Sequence, residues 1–396
     1  MIIKNGNVIT PKGIIENCHV SLSHNIISAL GQDFRDNDVI DASGMYVCPG
    51  FVDIHTHGGY GGDFMDADDE SFIKAIDFHS ENGTTSILAT SVTAPVESIE
   101  GMLVTARKYI NVQDPKCRIL GAHIEGPYLS VKNKGAQHEE YLRVPSEDAY
   151  DFILQNKDVI KTVTISPELS GAPKMVQDLT EAGIVVCGGH DDGEKDKIVL
   201  AIDAGLRHCT HLWCAMSSAV VRDNVRRPGL LEIGLSNEKL SVEIIADNHH
   251  MAPEMVKIVY KCKGPEKMCI VSDSLRAGGM PEDGAFYLLG SKCDTDAQKF
   301  IVADGVAALP DRSRLAGSIQ PLSQMVRNLV FDAGIQLCDA VTMASLTPAK
   351  IINADDRLGS IEPGKLADIC ILDKKLNVIM TVTNGKIVYD AKENTK

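Results

Sequence analysis

Gly50-Phe51-Val52-Asp53-Ile54-His55-Thr56-His57 sets a pattern from which the rest of the chain is read. Apolar and β-branched residues dominate its first half, so 50–54 is predicted to be a buried strand, and two histidines follow at its end. The amphipathic stretch 70–80 then predicts a helix, Gly83 supplies its C-cap, and 84–89 starts another strand. The unit recurs along the chain. Apolar runs at 118–124, 162–165, 184–187, 207–210, 242–246 and 268–271 predict further strands. Helical spacing at 96–109, 146–154, 173–182, 195–204 and 253–261 fills most of the intervals. In 173–182, for example, Met175, Val176, Leu179 and Ala182 fall on one face. Strands alternating with helices in this way predict an α/β fold, a (β/α)8 barrel, with a doubly wound open sheet as second choice.

The two ends of the chain have a different texture. Residues 1–49 carry short strand signals broken by Asn5-Gly6-Asn7 and Pro11-Lys12-Gly13. Residues 358–396 return to it, with a hairpin signal at Asn384-Gly385 between apolar runs. The expected organisation is a small β-sandwich domain built from both termini, 1–49 plus 358–396, around a barrel over 50–357.

Composition narrows the class. The chain has 396 residues, 44% hydrophobic and 23% charged, which argues against disorder and low complexity. Its 39 basic and 54 acidic residues give a net charge of -15, a field that repels nucleic acid and anionic membranes. No apolar run approaches the roughly 20 residues of a membrane span. The start, Met1-Ile2-Ile3-Lys4, reads as a strand rather than a signal peptide. The 11 cysteines include no C-x-x-C pair and sit mostly in apolar contexts, which predicts reduced, buried thiols in a cytoplasmic protein.

A barrel gathers its functional side chains at the C-terminal ends of its strands. Those ends carry His55 and His57, Glu125, His190, His211, His249 with His250, and Asp273. One histidine at a strand end is ordinarily structural; imidazoles or carboxylates at six such ends are hard to obtain by chance. His55 and His57 alternate along a strand and so share a face. Gly126-Pro127 ends the third strand abruptly and holds Glu125 at the rim. Several imidazoles with a carboxylate suit zinc first, with iron, manganese or cobalt as alternatives, one or two ions per subunit, and do not suit calcium. Such an ion acidifies water and polarises a carbonyl, and Asp273 fits a general base that passes the proton to a leaving amine.

The run from Val47 to His57 resembles the first-strand signature of the amidohydrolase superfamily. His123-Ile124-Glu125-Gly126-Pro127, Gly189-His190, Thr210-His211-Leu212 and Val271-Ser272-Asp273 together resemble the N-acetylglucosamine-6-phosphate deacetylase family over nearly the whole chain. The resemblance implies a metal on Glu125, His190 and His211, Asp273 as catalytic acid/base, and a second ion where the His55/His57 pair is kept. On the substrate side it implies Ala136 and Gln137 beside the acetamide, Cys214 and Ala215 after the sixth strand, and His250 facing a phosphate. Leu315, Ala316 and Gly317 would line the sugar pocket. Arg226 would reach the phosphate of a neighbouring subunit, so a homodimer is implied.

Three features depart from the family pattern, all on the substrate side. Cys214 replaces an asparagine, the segment 217–225 is longer, and Asn248 stands where glycine is usual. They motivate two alternatives within the superfamily: deacetylation of a related sugar phosphate such as the galactosamine epimer, or another amide hydrolase or deaminase. A non-catalytic scaffold barrel predicts eroded ligands, which this chain does not show. Other features have bland readings. Gly58-Gly59-Tyr60-Gly61-Gly62 reads as a flexible rim loop, and 66–70 as a solvated acidic helix start. His79 reads as structural, His208 and His249 as structural or at the rim, His19 and His24 as surface, and His123 as a support for the site.

Overall fold

In the computed structural model, which describes residues 1–32, 38–146, 148–282, 284–294 and 297–393, eight parallel strands form the centre of the chain. They are Phe51–Thr56, Thr84–Thr90, Arg118–Glu125, Ile160–Ile165, Val185–Gly188, His208–Cys209, Ser241–Ile244 and Met268–Ile270, each hydrogen-bonded to the next in chain order. The first two are buried at every position. A strand covered by helices outside and core inside has no solvent face, so it reads as a continuous run rather than an alternating one. The helices fall close to their predicted spans: Asp69–Glu81, Val96–Ile110, Ala172–Glu181, Lys195–Ala204 and Pro253–Lys263. In the predicted stretch 146–154, of which residue 147 lies outside the described residues, the helix is the short Asp151–Gln155.

The seam between the first and eighth strands matters for the site. No ladder joins them among the described residues. Instead the Asp273 N–H donates to the His55 carbonyl at 2.9 Å, and the His57 and Gly58 N–H groups both donate to the Ser274 carbonyl at 2.9 Å. Ser272 N–H donates to the buried Asp53 carboxylate at 3.2 Å. These bonds close the barrel at its C-terminal rim and set Asp273 beside the two histidines. Helices Leu337–Ala344 and Leu346–Ile351, which no sequence signal above predicted, pack across the same seam.

Two expectations for the rim need correction. The glycine run 58–62 is a buried two-residue hairpin, Gly58–Gly59 against Gly62–Asp63, not a flexible loop. A Cβ at Gly58 would collide with the Gly62 carbonyl, and one at Gly59 with the Phe78 ring, so the glycines serve close packing. In the acidic run, Asp68 does cap the first helix, accepting the Ser71 N–H at 2.8 Å. Asp66, however, is buried and accepts from Arg276 Nη2 at 3.1 Å. Its partner lies 210 residues away, beyond any local pattern.

The terminal strands Ile2–Thr10, Gly13–Ser23, Ile26–Gly31, Val39–Asp41, Tyr46–Pro49, Ile369–Leu372, Val378–Thr383 and Lys386–Asp390 form a second sheet, largely antiparallel. Alternation divides it between two cores. Val47, Ile369 and Ile371 point into a cluster of its own with Ile3, Val8 and Val20, whereas Cys48, Cys370 and Leu372 join the barrel core. Arg118 at the start of the third barrel strand reaches Asp368 at 2.5 Å and ties the two units together. A further antiparallel sheet, Phe286–Leu288, Lys299–Ala303, Val306–Ala308 and Leu315–Gly317, follows the eighth barrel strand and was also not predicted. It docks on that strand's end through Ser318 N–H to the Asp273 carbonyl at 2.9 Å, which makes its last strand a wall over the barrel mouth. No helix among the described residues is long and apolar enough to cross a membrane.

Candidate active site

The strand ends bring six predicted residues together, with the Glu125 carboxylate at their centre. Glu125 Oε1 lies 3.1 Å from His190 Nε2, 3.0 Å from His211 Nε2 and 3.6 Å from His55 Nε2. Glu125 Oε2 lies 3.5 Å from His57 Nε2. Asp273 Oδ1 faces His57 Nε2 at 3.2 Å and His55 Nε2 at 3.6 Å. His190, His211 and Asp273 take positive φ values of 48°, 23° and 44°. Non-glycine residues rarely occupy that region, and each costs of order 1–3 kcal/mol. The chain turns sharply at these three strand ends and aims their side chains inward.

The tautomers test whether the site suits a cation. His190 Nδ1 contacts the Asn133 carbonyl at 3.0 Å, and a carbonyl only accepts, so Nδ1 carries the proton. A neutral ring then presents the Nε2 lone pair toward Glu125, which also only accepts. His55 repeats the arrangement: Nδ1 faces Glu243 Oε1 at 2.7 Å, and Nε2 is buried without a hydrogen-bond partner. His190 Nε2 and His211 Nε2 are 3.1 Å apart. Lone pairs and carboxylate oxygens converging in a buried space call for a positive ion between them. Metal-ligating histidines commonly direct their other nitrogen to a carbonyl or carboxylate in this way. The ligand atoms of His55, Glu125 and His211, and those of His55, His57 and Asp273, form two sets within 4.8 Å. The residues therefore fit a divalent cation, and His190 Nε2, 3.1 Å from both Glu125 Oε1 and His211 Nε2, adds a further donor to the first set.

Electrostatics follow from burial and contact. Burial opposes ionisation of Glu125, but the imidazoles gathered around it, His55 foremost, outweigh burial and hold its carboxyl well below the usual range. Burial disfavours charging His57, yet its contact with Asp273 raises its pKa. His250, beyond the seventh strand's end, has its side chain largely covered, which disfavours its charge, yet Asp247 Oδ2 at 2.8 Å raises its pKa.

Glu243 supports the site, and it was missed in the sequence. It lies inside the seventh strand and joins three site elements: His55 Nδ1, the His211 N–H at 3.0 Å and His208 Nε2 at 3.1 Å. His208 is held in turn by Ser241 Oγ at 2.7 Å. Its signal was a charged residue in an otherwise buried strand. His123 packs edge-on against the His55 ring, 4.5 Å between centroids, and bonds Thr164 Oγ1 at 2.8 Å. Glu243→Gln is expected to weaken metal affinity about 10- to 100-fold by loosening His55. Competition against a chelator measures this, and unchanged affinity would show that His55 needs no such support.

Above the carboxylate floor lies a cavity of about 420 Å³. Ala136, Gln137, Cys214, Ala215, His250, Leu315, Ala316 and Gly317 all line it, together with Trp213 and Arg314. The Gln137 amide donates to Glu125 Oε2 at 2.8 Å, and its carbonyl accepts the Thr93 N–H at 2.7 Å. Cys214 is half-buried on the cavity wall, and desolvation pushes its thiol pKa far up, so it meets the cavity as a weakly polar, un-ionised surface. Arg226 is not in this cavity. It stands on an exposed hairpin, Val220–Arg222 paired with Val225–Arg227. His249 stays outside the cavity lining, while His79 is buried against Thr56 Oγ1 at 2.9 Å.

Comparison with known proteins agrees with this geometry. The family model described as the Amidohydrolase family matches residues 46–388. The chain is 30% identical to the N-acetylglucosamine-6-phosphate deacetylase of Bacillus subtilis (strain 168), over 99% of this chain and 98% of that protein. It is 28% identical to the N-acetylgalactosamine-6-phosphate deacetylase of Escherichia coli O157:H7, over 98% of each. The crystal structure of N-acetylglucosamine-6-phosphate deacetylase from Pasteurella multocida superposes with a TM-score of 0.89 at 30% identity, covering 98% of each chain. The chain therefore belongs to the amidohydrolase family and, within it, to the N-acetylglucosamine-6-phosphate deacetylase family.

Proposed function

We propose that this chain hydrolyses N-acetylglucosamine 6-phosphate to glucosamine 6-phosphate and acetate in the cytoplasm, with zinc as its metal. The observation that carries this reading is the convergence of His190, His211 and His55 on Glu125, with Asp273 beside them, under a cavity the size of a small ligand. Bound on Glu125, His190 and His211, the cation would polarise an acetamide carbonyl and acidify a water. Asp273 takes the proton of the attacking water and returns it to the amine nitrogen as the C–N bond breaks. Gln137, fixed by Thr93, orients Glu125 and stands beside the acetamide. Leu315, Ala316 and Gly317 close over the sugar face, and Ala136, Cys214, Ala215 and His250 complete the surround. Arg226, on its exposed hairpin, would serve the phosphate of a second subunit in a homodimer.

The galactosamine epimer is the second reading. It is favoured by Cys214, which offers no amide to the cavity wall and so alters which sugar hydroxyls are satisfied. The test is acetate release by the metal-replete protein from the 6-phosphates of both N-acetyl sugars and from both unphosphorylated sugars. Fast release from the glucosamine phosphate alone is the expected result. Faster release from the galactosamine phosphate would reassign the substrate, and ammonia in place of acetate would make the chain a deaminase.

A further inference from the structure

We propose that Arg314 is the residue of this same chain that selects for the substrate's phosphate, an inference that rests on the sugar-phosphate reading above. Among the described residues Arg314 is the one lysine or arginine lining the cavity. Its guanidinium has no ion pair or hydrogen bond with any described residue, whereas Arg312 is paired with Asp304 at 3.0 Å and Arg276 with Asp66 at 3.1 Å. A cation left unpaired on a cavity wall, in a chain of net charge -15, is a local attractor for an anion.

Its position suits the ligand. Arg314 immediately precedes the wall strand Leu315–Gly317, whose far end is anchored beside Asp273 by the Ser318 N–H. Three residues of extended chain span about 10 Å, so Arg314 stands well up the wall from the carboxylate floor. In a pyranose, the C2 atom bearing the acetamide and the C5 atom bearing the C6 phosphate arm are opposite ring members. With the acetamide at Glu125 and Asp273, the phosphate is carried outward, toward the mouth.

The other cavity group able to carry positive charge is less available. His250 holds its own counter-ion, Asp247 Oδ2, at 2.8 Å, so its charge is largely spent within the protein. Arg314 has no such partner among the described residues, and its planar fork matches two phosphate oxygens. Arg314 thus supplies discrimination within one subunit, separately from anything Arg226 contributes across an interface.

The test compares glucosamine 6-phosphate with glucosamine as ligands of the metal-loaded protein, with Kd measured by calorimetry. Trp213, the sequence's one tryptophan, lines the same cavity and gives a parallel fluorescence signal. Arg314→Ala is expected to weaken the phosphorylated ligand about 10- to 100-fold, the loss of a charge-assisted bond, and to leave glucosamine binding unchanged. Arg314→Lys should recover part of the loss. An Arg314→Ala protein that binds the 6-phosphate as tightly as wild type overturns the proposal, as does a wild type that binds both ligands alike. Acetate release separates this from the functional reading. Deacetylation without Arg314-dependent discrimination removes Arg314 alone. Arg314-dependent phosphate binding without acetate from any sugar removes the deacetylase and keeps the phosphate site.

Discussion

Asp273→Asn is expected to retain its metal and lose about 10²- to 10⁴-fold in kcat, the usual contribution of a positioned acid/base. The side chains are nearly isosteric, so the seam that fixes this residue survives: its N–H still donates to His55 and its carbonyl still accepts from Ser318. What changes is the oxygen facing His57 Nε2 at 3.2 Å. An amide neither accepts a proton from water nor delivers one to an amine. Burial on the floor of the cavity leaves no other carboxylate free to substitute, because Glu125 is engaged by His190, His211 and Gln137. The experiment pairs steady-state kinetics with metal analysis. Near-wild-type turnover would remove Asp273 from proton transfer, and loss of the ion on Glu125, His190 and His211 together with activity would make Asp273 a ligand of that ion instead.

How much of this was legible in the sequence follows from how local each feature is. The barrel strands were visible because parallel strands buried on both sides are continuous apolar runs, and their ends were visible because glycine and histidine mark them. His55, His57, Glu125, His190, His211 and Asp273 all stand at such ends, so position within the repeat was enough to single them out. The terminal sheet was legible for a similar reason: Asn384-Gly385 and the short alternating runs are local signals.

What escaped depended on distant contacts. Glu243 shows only as a lone charge inside an apolar run until the barrel closes and brings His55, 188 residues away, onto its carboxylate. Asp66 looks like part of a solvated helix start until Arg276 is folded against it. The insertion carrying Leu315–Gly317 is made of short, weakly periodic strands, and nothing in its local pattern says that it roofs a cavity. Arg314 is invisible for the same reason. A serine- and arginine-rich turn is a surface feature in sequence, and only the docking of Ser318 on Asp273 turns it into a cavity wall.

Glu125→Gln tests the centre of the site, and its expected effect is as large as that of Asp273→Asn. Glu125 Oε1 is the point on which His190, His211 and His55 converge, and its charge offsets that of a cation bound there. Glutamine keeps the volume but removes the charge, and its NH2 group would face imidazole nitrogens that must present lone pairs to a metal. The ion is then held by neutral ligands alone, in a buried space where an uncompensated charge is costly. Metal content at equal free zinc should fall, and with it the several kcal/mol by which a bound cation stabilises the transition state, on the order of 10³- to 10⁴-fold in kcat/KM. His57→Ala is the informative companion, because it leaves Glu125, His190 and His211 in place. If that set holds the working ion, His57→Ala keeps one metal per chain and Glu125→Gln loses it. Equal metal loss in both variants would place the principal ion on the His55/His57 side of Glu125, and full metal content in Glu125→Gln would show that the imidazoles suffice without the carboxylate.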